Sequence, residues 1–548
     1  MKIAIYFHTV KHLKTTQIIN RILKKILHPK FNAITSSLTE ISGQWITYGL
    51  YNRKIFDYDQ VIFLNHRADI KDKASWNNDN EAKLWLYNLH YFDDLCALDS
   101  NKRTASQLKF IQRWIDENPP AVGNGWEPYP TSLRIVNWIK SFLGHISPEQ
   151  HILDSLAQQA DFLSQDLETH ILGNHLFVNA KALIFSGLYF DCGNAKSWLN
   201  TGLAIYNREL KEQVLNDGGN FELTPMYHAI MLVDLLDLIN IFKTYPNKVS
   251  QQVIKNTHSA ILKMLQWLKV MSHNDGEISF FNDSVFGIAP SNNTIYGYAS
   301  VLGFKTLTQK YEVNNIKLID LTDSGYVIVK SKDMSLIADL AAIGPDYIPG
   351  HAHADTLSFE LSLGTQRIFV NSGISGYGLS EERLRQRQTK AHNTVSVDDL
   401  NSSQVWSGFR VAKRATLRNR VVGEVNRNAV SFSAEHDGFK KQGVNCIHNR
   451  KWTVTYNSLD IIDHLEGTFE QAESYLHLHP DVTVLNITNS TIYLVTNNYI
   501  INITVEKAQV SIVDTTWHPE FGISIPSKKL CFKFTDNLMQ VSCIWSKK

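Results

Sequence analysis

With 548 residues, 43% of them hydrophobic and 20% charged, the chain is too long for one hydrophobic core and too polar for a bundle embedded in lipid, so a soluble protein of two or more domains is expected. Its 54 Lys and Arg offset 53 Asp and Glu to a formal net charge of +1, which excludes the global basic field of a nucleic-acid-binding protein; an anionic partner has to be met locally. Five cysteines, Cys96, Cys192, Cys446, Cys531 and Cys543, form an odd set without CxxC spacing and read as reduced core residues.

The first 31 residues hold seven cations (Lys2, Lys11, Lys14, Arg21, Lys24, Lys25, Lys30) and no acid, while Ile18, Ile19, Ile22, Leu23, Ile26 and Leu27 recur at helical spacing. This is a basic amphipathic helix. At the edge of a large domain such a helix usually packs on its own protein, and the alternative is contact with an anionic membrane surface. The N-terminus lacks the apolar run and small-residue cleavage site of a signal peptide, and no apolar run of about eighteen residues is present, so a cytoplasmic location with peripheral membrane association as an option is the expectation.

From about residue 81 to 270 apolar residues return every three or four positions, as in 84–95, 108–115, 133–142, 152–167, 176–190 and 226–242, predicting successive helices. Beyond about Gly325 the period falls to two, as in 326–329, 356–361, 430–433 and 491–495, with Asn, Gly and Asp between, predicting strands. The chain divides into an N-terminal extension (1–78), a helical domain (79–310) and a β domain (311–548). No Pro-rich linker separates the last two, so they should pack together and leave a cleft where ligand sites form.

Three polar clusters interrupt the apolar pattern. Gly173-Asn174-His175 opens a helix, where Asn174 would ordinarily serve as a cap. Glu222 to His228 again turns a loop into a helix and carries Tyr227. Gly350-His351-Ala352-His353-Ala354-Asp355 would, on a strand, send both imidazoles to one face, a geometry suited to metal ligation or proton transfer. Asn371-Ser372-Gly373 and Ala391-His392-Asn393-Thr394 add further polar groups downstream.

Taken in order, Gly173-Asn174-His175, Glu222 to Tyr227, Gly350 to Asp355 with Leu357-Ser358-Phe359, and Ala391-His392-Asn393-Thr394-Val395 resemble the heparinase II/III-like polysaccharide lyases from about Asp79 to the end. Tyr6-Phe7-His8-Thr9, Trp126-Glu127-Pro128-Tyr129 and Thr131-Ser132-Leu133-Arg134 resemble the branch associated with bacterial surface-polysaccharide gene clusters. The resemblance implies an α+β multidomain chain, an (α/α) toroid followed by an antiparallel β-sandwich domain. It implies a carbon-oxygen lyase that cleaves a uronic-acid-containing glycan by β-elimination, its partner an anionic polysaccharide or oligosaccharide.

Removing the C5 proton of a uronate requires the carboxylate to be neutralised or hydrogen-bonded, a base at C5 and an acid at the departing C4 oxygen. By resemblance Asn174 and His175 hold the carboxylate and Tyr227 is the acid and a candidate base. His351 is a base for the opposite C5 configuration or an aid to Tyr227. Glu222 is expected to orient the carboxylate side and Arg134 to clamp an anionic sugar through its fork. Trp126 and Tyr129 either stack on sugar rings or fill the toroid. Arg383, Arg385, Arg387 and Lys390 line a polyanion groove or form a solvated face. The resemblance also implies a structural zinc at His353, Asn371 and His392, where Asn371 departs from the family's acidic ligand and offers a poorer donor. Two other functions fit the chain. One is a non-catalytic glycan-binding or assembly protein; the other is a glycoside hydrolase on the same fold, with Glu222 and Asp283 as its carboxylates.

Overall fold

A computed structural model describes residues 2–56, 59–305, 315–426 and 428–548. Two short helices, Lys2–Val10 and Thr15–Ile26, precede an extended stretch and a small three-stranded sheet. A toroid of nine helices then runs from Lys83–Tyr91 through Thr104–Glu117, Pro128–Gly144, Gln150–Ser164, Gly173–Tyr189, Ala195–Gln213, Pro225–Thr244 and Gln251–Val270 to Asn292–Val301 among the described residues.

Local chemistry sets the helix starts. Ser250 and Ser291 accept the N3 amides of the helices they precede, satisfying donors that the first turn leaves orphaned. Residues 84–95, expected as one helix, are split: the backbone turns left-handed at Phe92 (φ 60°), and Asp93–Cys96 continue as a 3-10 turn. Pro225–Thr244 is long and apolar enough to cross a membrane, but 89% of that stretch is buried in the toroid core. Its Asp234 and Asp237 are matched by Lys181 (2.7 Å to each) and Lys140 (2.9 Å to Asp237), so the polar break in an apolar helix is neutralised from its neighbours.

The C-terminal half opens with a five-stranded antiparallel meander, Lys317–Leu321, Tyr326–Lys330, Met334–Asp339, Phe359–Leu363 and Gln366–Phe369. The period of two explains why both faces of its second strand are buried: Val327 and Val329 enter the β core, while Tyr326 and Ile328 pack with Trp267 and Phe281 of the helical half. Residues 356–358, expected as strand, form a turn in which Leu357 takes φ 63° and the Ser358 amide donates to Asp355 O (2.8 Å). An eight-stranded and a four-stranded antiparallel sheet share one core with the meander through residues such as Val329, Phe432, Ile461 and Phe532. Four of the five cysteines are buried, and all five are free.

The expected domain boundary at 310/311 lies outside the described residues. On either side of it the halves are bonded to each other. The Trp267 indole donates to Ser324 Oγ (3.0 Å), Lys330 Nζ to Ser272 O (2.6 Å) and Tyr326 Oη to Leu223 O (2.6 Å).

Candidate active site

A cavity of about 1650 Å³ lies where the toroid meets the loops of the β half. Asn174, His175, Tyr227, Tyr129, His351, Tyr377 and Phe409 line it, with Thr9, Gln17 and Arg21 of the N-terminal helices and Leu13 of the turn between them.

Asn174 and His175 reach the cavity because the chain turns left-handed at Leu172 (φ 70°) and Gly173 (φ 57°) immediately before their helix. Glycine suits this turn for its left-handed backbone, and a Cβ there would also press on Ile348 Cδ1 of the facing β loop at 2.9 Å, a side-chain end that could shift. The Asn174 amide donates to Tyr129 Oη (3.2 Å), and His175 Nδ1 meets Glu168 Oε1 at 2.9 Å. Burial disfavours the imidazolium of His175, yet the Glu168 carboxylate outweighs it and raises the pKa above the usual histidine value. Tyr227 sits in the first turn of Pro225–Thr244, its amide capped by Thr224 Oγ1 (3.0 Å). Its ring lies against the His351 imidazole with centroids 4.0 Å apart, and its hydroxyl meets Tyr377 Oη at 2.9 Å. Burial holds the phenol well above its ordinary pKa, so it keeps its proton at neutral pH.

The His-x-His segment is a loop rather than the expected strand, and its two imidazoles converge on one carboxylate. His351 Nδ1 meets Asp283 Oδ2 (2.9 Å) and His353 Nε2 meets Asp283 Oδ1 (2.7 Å). Burial alone would raise the Asp283 pKa; the Arg383 guanidinium, bonded to both oxygens, and the two histidines hold it well below the carboxylate range. An ionised Asp283 requires the proton of His351 on Nδ1, which leaves a lone pair on Nε2. That nitrogen lies 3.7 Å from Glu222 Oε2. Glu222 is buried behind Asn174 and His351, and burial pushes its carboxyl above the ordinary range against the pull of His351 and His175.

Several expected residues stand elsewhere. Arg134 is fully buried in the toroid, its guanidinium 3.8 Å from the Trp114 ring and bonded to Gln159 Oε1 (2.8 Å), so it cannot clamp a sugar. Trp126 packs against Trp114 and Phe162 as filler, whereas Tyr129 does reach the cavity. Arg387 is buried and donates to Ala352 O (2.8 Å), bracing the His351 loop rather than touching solvent. With Arg383 on Asp283, Arg385 on Glu382 and Lys390 on Asp399, the basic run forms no polyanion groove. The hydrolase pair fails on geometry: Glu222 and Asp283 flank a single imidazole, and neither lines the cavity.

The profile of the heparinase II/III N-terminus matches residues 2–302, and that of the heparinase II/III-like C-terminal region matches residues 315–546. The chain belongs to the heparinase II/III family. Curated relatives named heparin-sulfate lyase include one from Pedobacter heparinus, 25% identical over 62% of this chain and 55% of that protein. Another, from Bacteroides stercoris, is 27% identical over 52% of this chain and 45% of that protein. The chain thus spans about half the length of the curated relatives it matches. Among solved structures, heparinase III superposes with a TM-score of 0.67 at 18% identity, covering 86% of this chain and 79% of that one. A mutant heparan sulfate lyase from Pedobacter heparinus superposes with a TM-score of 0.61 at 17% identity, covering 97% and 88%. These likenesses establish the fold, a helical toroid followed by a β domain.

In this heparinase II/III chain the residues expected to hold zinc form an unusual polar junction. His392 Nδ1 donates to Gln388 O (2.8 Å) and His353 Nε2 donates to Asp283, so the two nitrogens that face each other at 3.0 Å both carry lone pairs. Burial lowers both imidazoles to about 4, keeping them neutral. Asn371 is buried one residue before Ser372, whose amide donates to Ala391 O (3.2 Å) next to His392, and among the described residues neither atom of the Asn371 side-chain amide has a hydrogen-bond partner. Two imidazole lone pairs and an orphan amide oxygen fit a divalent cation, without the anionic ligand that would make the site strong. Asp283, Arg383 and Tyr377 are the groups whose roles sequence reasoning missed. The signals were a polar Asn282-Asp283-Ser284 inside an apolar run and an aromatic between Gly376 and Gly378.

Proposed function

We propose that the chain is a polysaccharide lyase that eliminates across C4 and C5 of a uronate whose C5–H and C4–O bonds lie on the same face, as in D-glucuronate and D-mannuronate. The observation that carries this is the Tyr227–His351 stack. At 4.0 Å between rings no sugar fits between acid and base, so both groups must address the same face.

In this mechanism the uronate carboxylate accepts from the Asn174 amide and the His175 imidazolium, which stabilise the enolate-like charge. His351 Nε2 takes the C5 proton, the C5–H electrons form the C4=C5 double bond, and the C4–O bond breaks. Tyr227 Oη gives its proton to the departing oxygen and is hydrogen-bonded meanwhile by Tyr377. Asp283 fixes the His351 tautomer and stabilises the imidazolium that forms. The same reading assigns His353, His392 and Asn371 to a zinc ion, which when bound supplies a positive charge for the facing lone pairs and stiffens the loop carrying His351.

The test is the ultraviolet absorbance of the unsaturated uronate product during incubation with heparosan, hyaluronan, chondroitin, alginate and bacterial capsular glycans. A rise on glucuronate or mannuronate polymers and none on guluronate blocks is expected; cleavage without absorbance would mean hydrolysis. Because the raised pKa of His175 keeps it cationic above the ordinary value of 6.5, KM should be low there and climb as pH rises through the raised value. His175→Asn should raise KM at low pH and flatten that climb, read from initial rates across pH. For the metal, elemental analysis of the purified chain should find zinc that chelator strips readily. Asn371→Asp should slow that loss about tenfold or more by adding an anionic ligand.

A further inference from the structure

The helix Thr15–Ile26 is amphipathic with its faces reversed. Its polar stripe turns inward. Gln17 is buried, with Nε2 donating to Ile171 O (3.3 Å) and Tyr347 O (3.4 Å); Asn20 donates to Thr169 O (3.4 Å), and Lys24 pairs with Asp166 (2.9 Å). Lys14, just before the helix, pairs with Glu212 at 2.5 Å and lies over the Tyr347 ring. Its apolar stripe turns outward: Ile18, Ile19, Ile22, Leu23 and Ile26 are 42–66% exposed. A helix whose only neighbour were its own protein would bury that stripe and expose the polar one. The helix does pack on its own protein, as expected, but through its polar face and not its apolar one.

The patch extends beyond one helix. Tyr6, Phe7 and Val10 of Lys2–Val10 are exposed as well, and so are Leu27 and Phe31. The first helix is fixed to the β half, Thr9 Oγ1 accepting from the Trp406 indole (3.1 Å) and Tyr6 meeting the Trp406 ring edge-on at 5.2 Å. The platform is thus held at both ends by polar and aromatic contacts that leave its oily side free.

Charge identifies what covers it. Of the seven cations in the first 31 residues, Lys14 and Lys24 are spent on acids of the toroid. Lys11, Arg21, Lys25 and Lys30 are exposed around the apolar stripe and form no salt bridge among the described residues, and no acid lies in this segment. A second copy of the chain docking face to face would bring these like charges together, whereas a surface of anionic lipid headgroups over acyl chains satisfies both features at once.

We propose that the two N-terminal helices dock the chain on an anionic lipid bilayer. Thr9, Gln17 and Arg21 of the same helices, with Leu13 of the turn between them, line the cavity, so docking sets the mouth of the cleft beside the headgroups, where a glycan held at a membrane would enter. The inference stands apart from the lyase mechanism, since its test reads lipid binding and not turnover.

The full chain is sedimented with vesicles of phosphatidylcholine, with and without about one-third phosphatidylglycerol. Expected is binding to the anionic vesicles that is at least tenfold weaker on phosphatidylcholine alone and falls with salt. Ile22→Glu with Ile26→Glu should lower it tenfold or more through the apolar face, and Lys25→Glu with Lys30→Glu should do so through charge. Thermal unfolding of both variants should match the parent, because these four side chains are exposed. Absence of wild-type binding, or binding unchanged in both variants, overturns the proposal. So does a concentration-dependent dimer in ultracentrifugation that Ile22→Glu with Ile26→Glu dissolves, with no vesicle binding, which would name a second copy as the partner.

Discussion

Tyr227→Phe is expected to lower kcat by about 10²–10⁴-fold, the range that a positioned general acid contributes, while the protein stays folded and still binds its glycan. The substitution removes one oxygen. The ring remains to stack on His351, the Thr224 cap uses only the backbone amide, and Asn174 and His175 belong to a different helix. Stability should fall by only about 1 kcal/mol, from the lost bond to Tyr377 Oη. Tyr377→Phe is the matching control. It breaks the same 2.9 Å bond but spares the acid, so it should cost far less in kcat. Equal losses in the two variants would mean that the hydroxyl pair matters as a structural unit and that Tyr227 is not the proton donor.

Asn174, His175, Tyr227 and His351 were legible because their clusters interrupt the apolar pattern and, taken in order, resemble the motifs of the heparinase II/III-like lyases, which is what implied their roles. The structure brings all four to one cavity. Arg134 and Trp126, which lie in motifs resembling one branch of the family, and Arg387, part of a charge run, are packed inside the protein. A guanidinium over Trp114 and bonded to Gln159 satisfies its charge and donors as well as a substrate carboxylate would, and nothing in the neighbouring sequence distinguishes the cases. The helical and β halves followed from periodicity, yet the strand expected at 356–361 begins only at Phe359, since the bond from the Ser358 amide to Asp355 O closes a turn first. The N-terminal helix shows the limit most plainly. Its amphipathic pattern was evident, but which face meets the protein depended on Ile171, Thr169 and Tyr347, carbonyls about 150 and 330 residues away. Arg383 was similarly hidden, because its partner Asp283 lies 100 residues earlier in the chain.

That pairing gives the largest expected effect on stability. Arg383→Met should cost about 3–5 kcal/mol, read as a lower denaturant midpoint, because it removes the permanent cation from a fully buried carboxylate and leaves it only the His351 and His353 imidazoles. Activity should fall as well, and the way it falls separates a positioning role from mere loss of structure. His351 depends on Asp283 for its tautomer and orientation, whereas the Asn174–His175 pocket is built on Gly173–Tyr189 and braced by Glu168. At a temperature where the variant is fully folded, kcat should therefore drop while KM stays within about twofold. Arg383→Lys should recover part of the stability, since an ammonium supplies the charge without the two-pronged contact. The double variant Arg383→Met with Asp283→Asn removes both charges and should be more stable than Arg383→Met alone. It should not regain kcat, because an amide no longer dictates which nitrogen of His351 carries the proton. Recovery of kcat along with stability would assign the whole effect to folding and remove Asp283 from the mechanism.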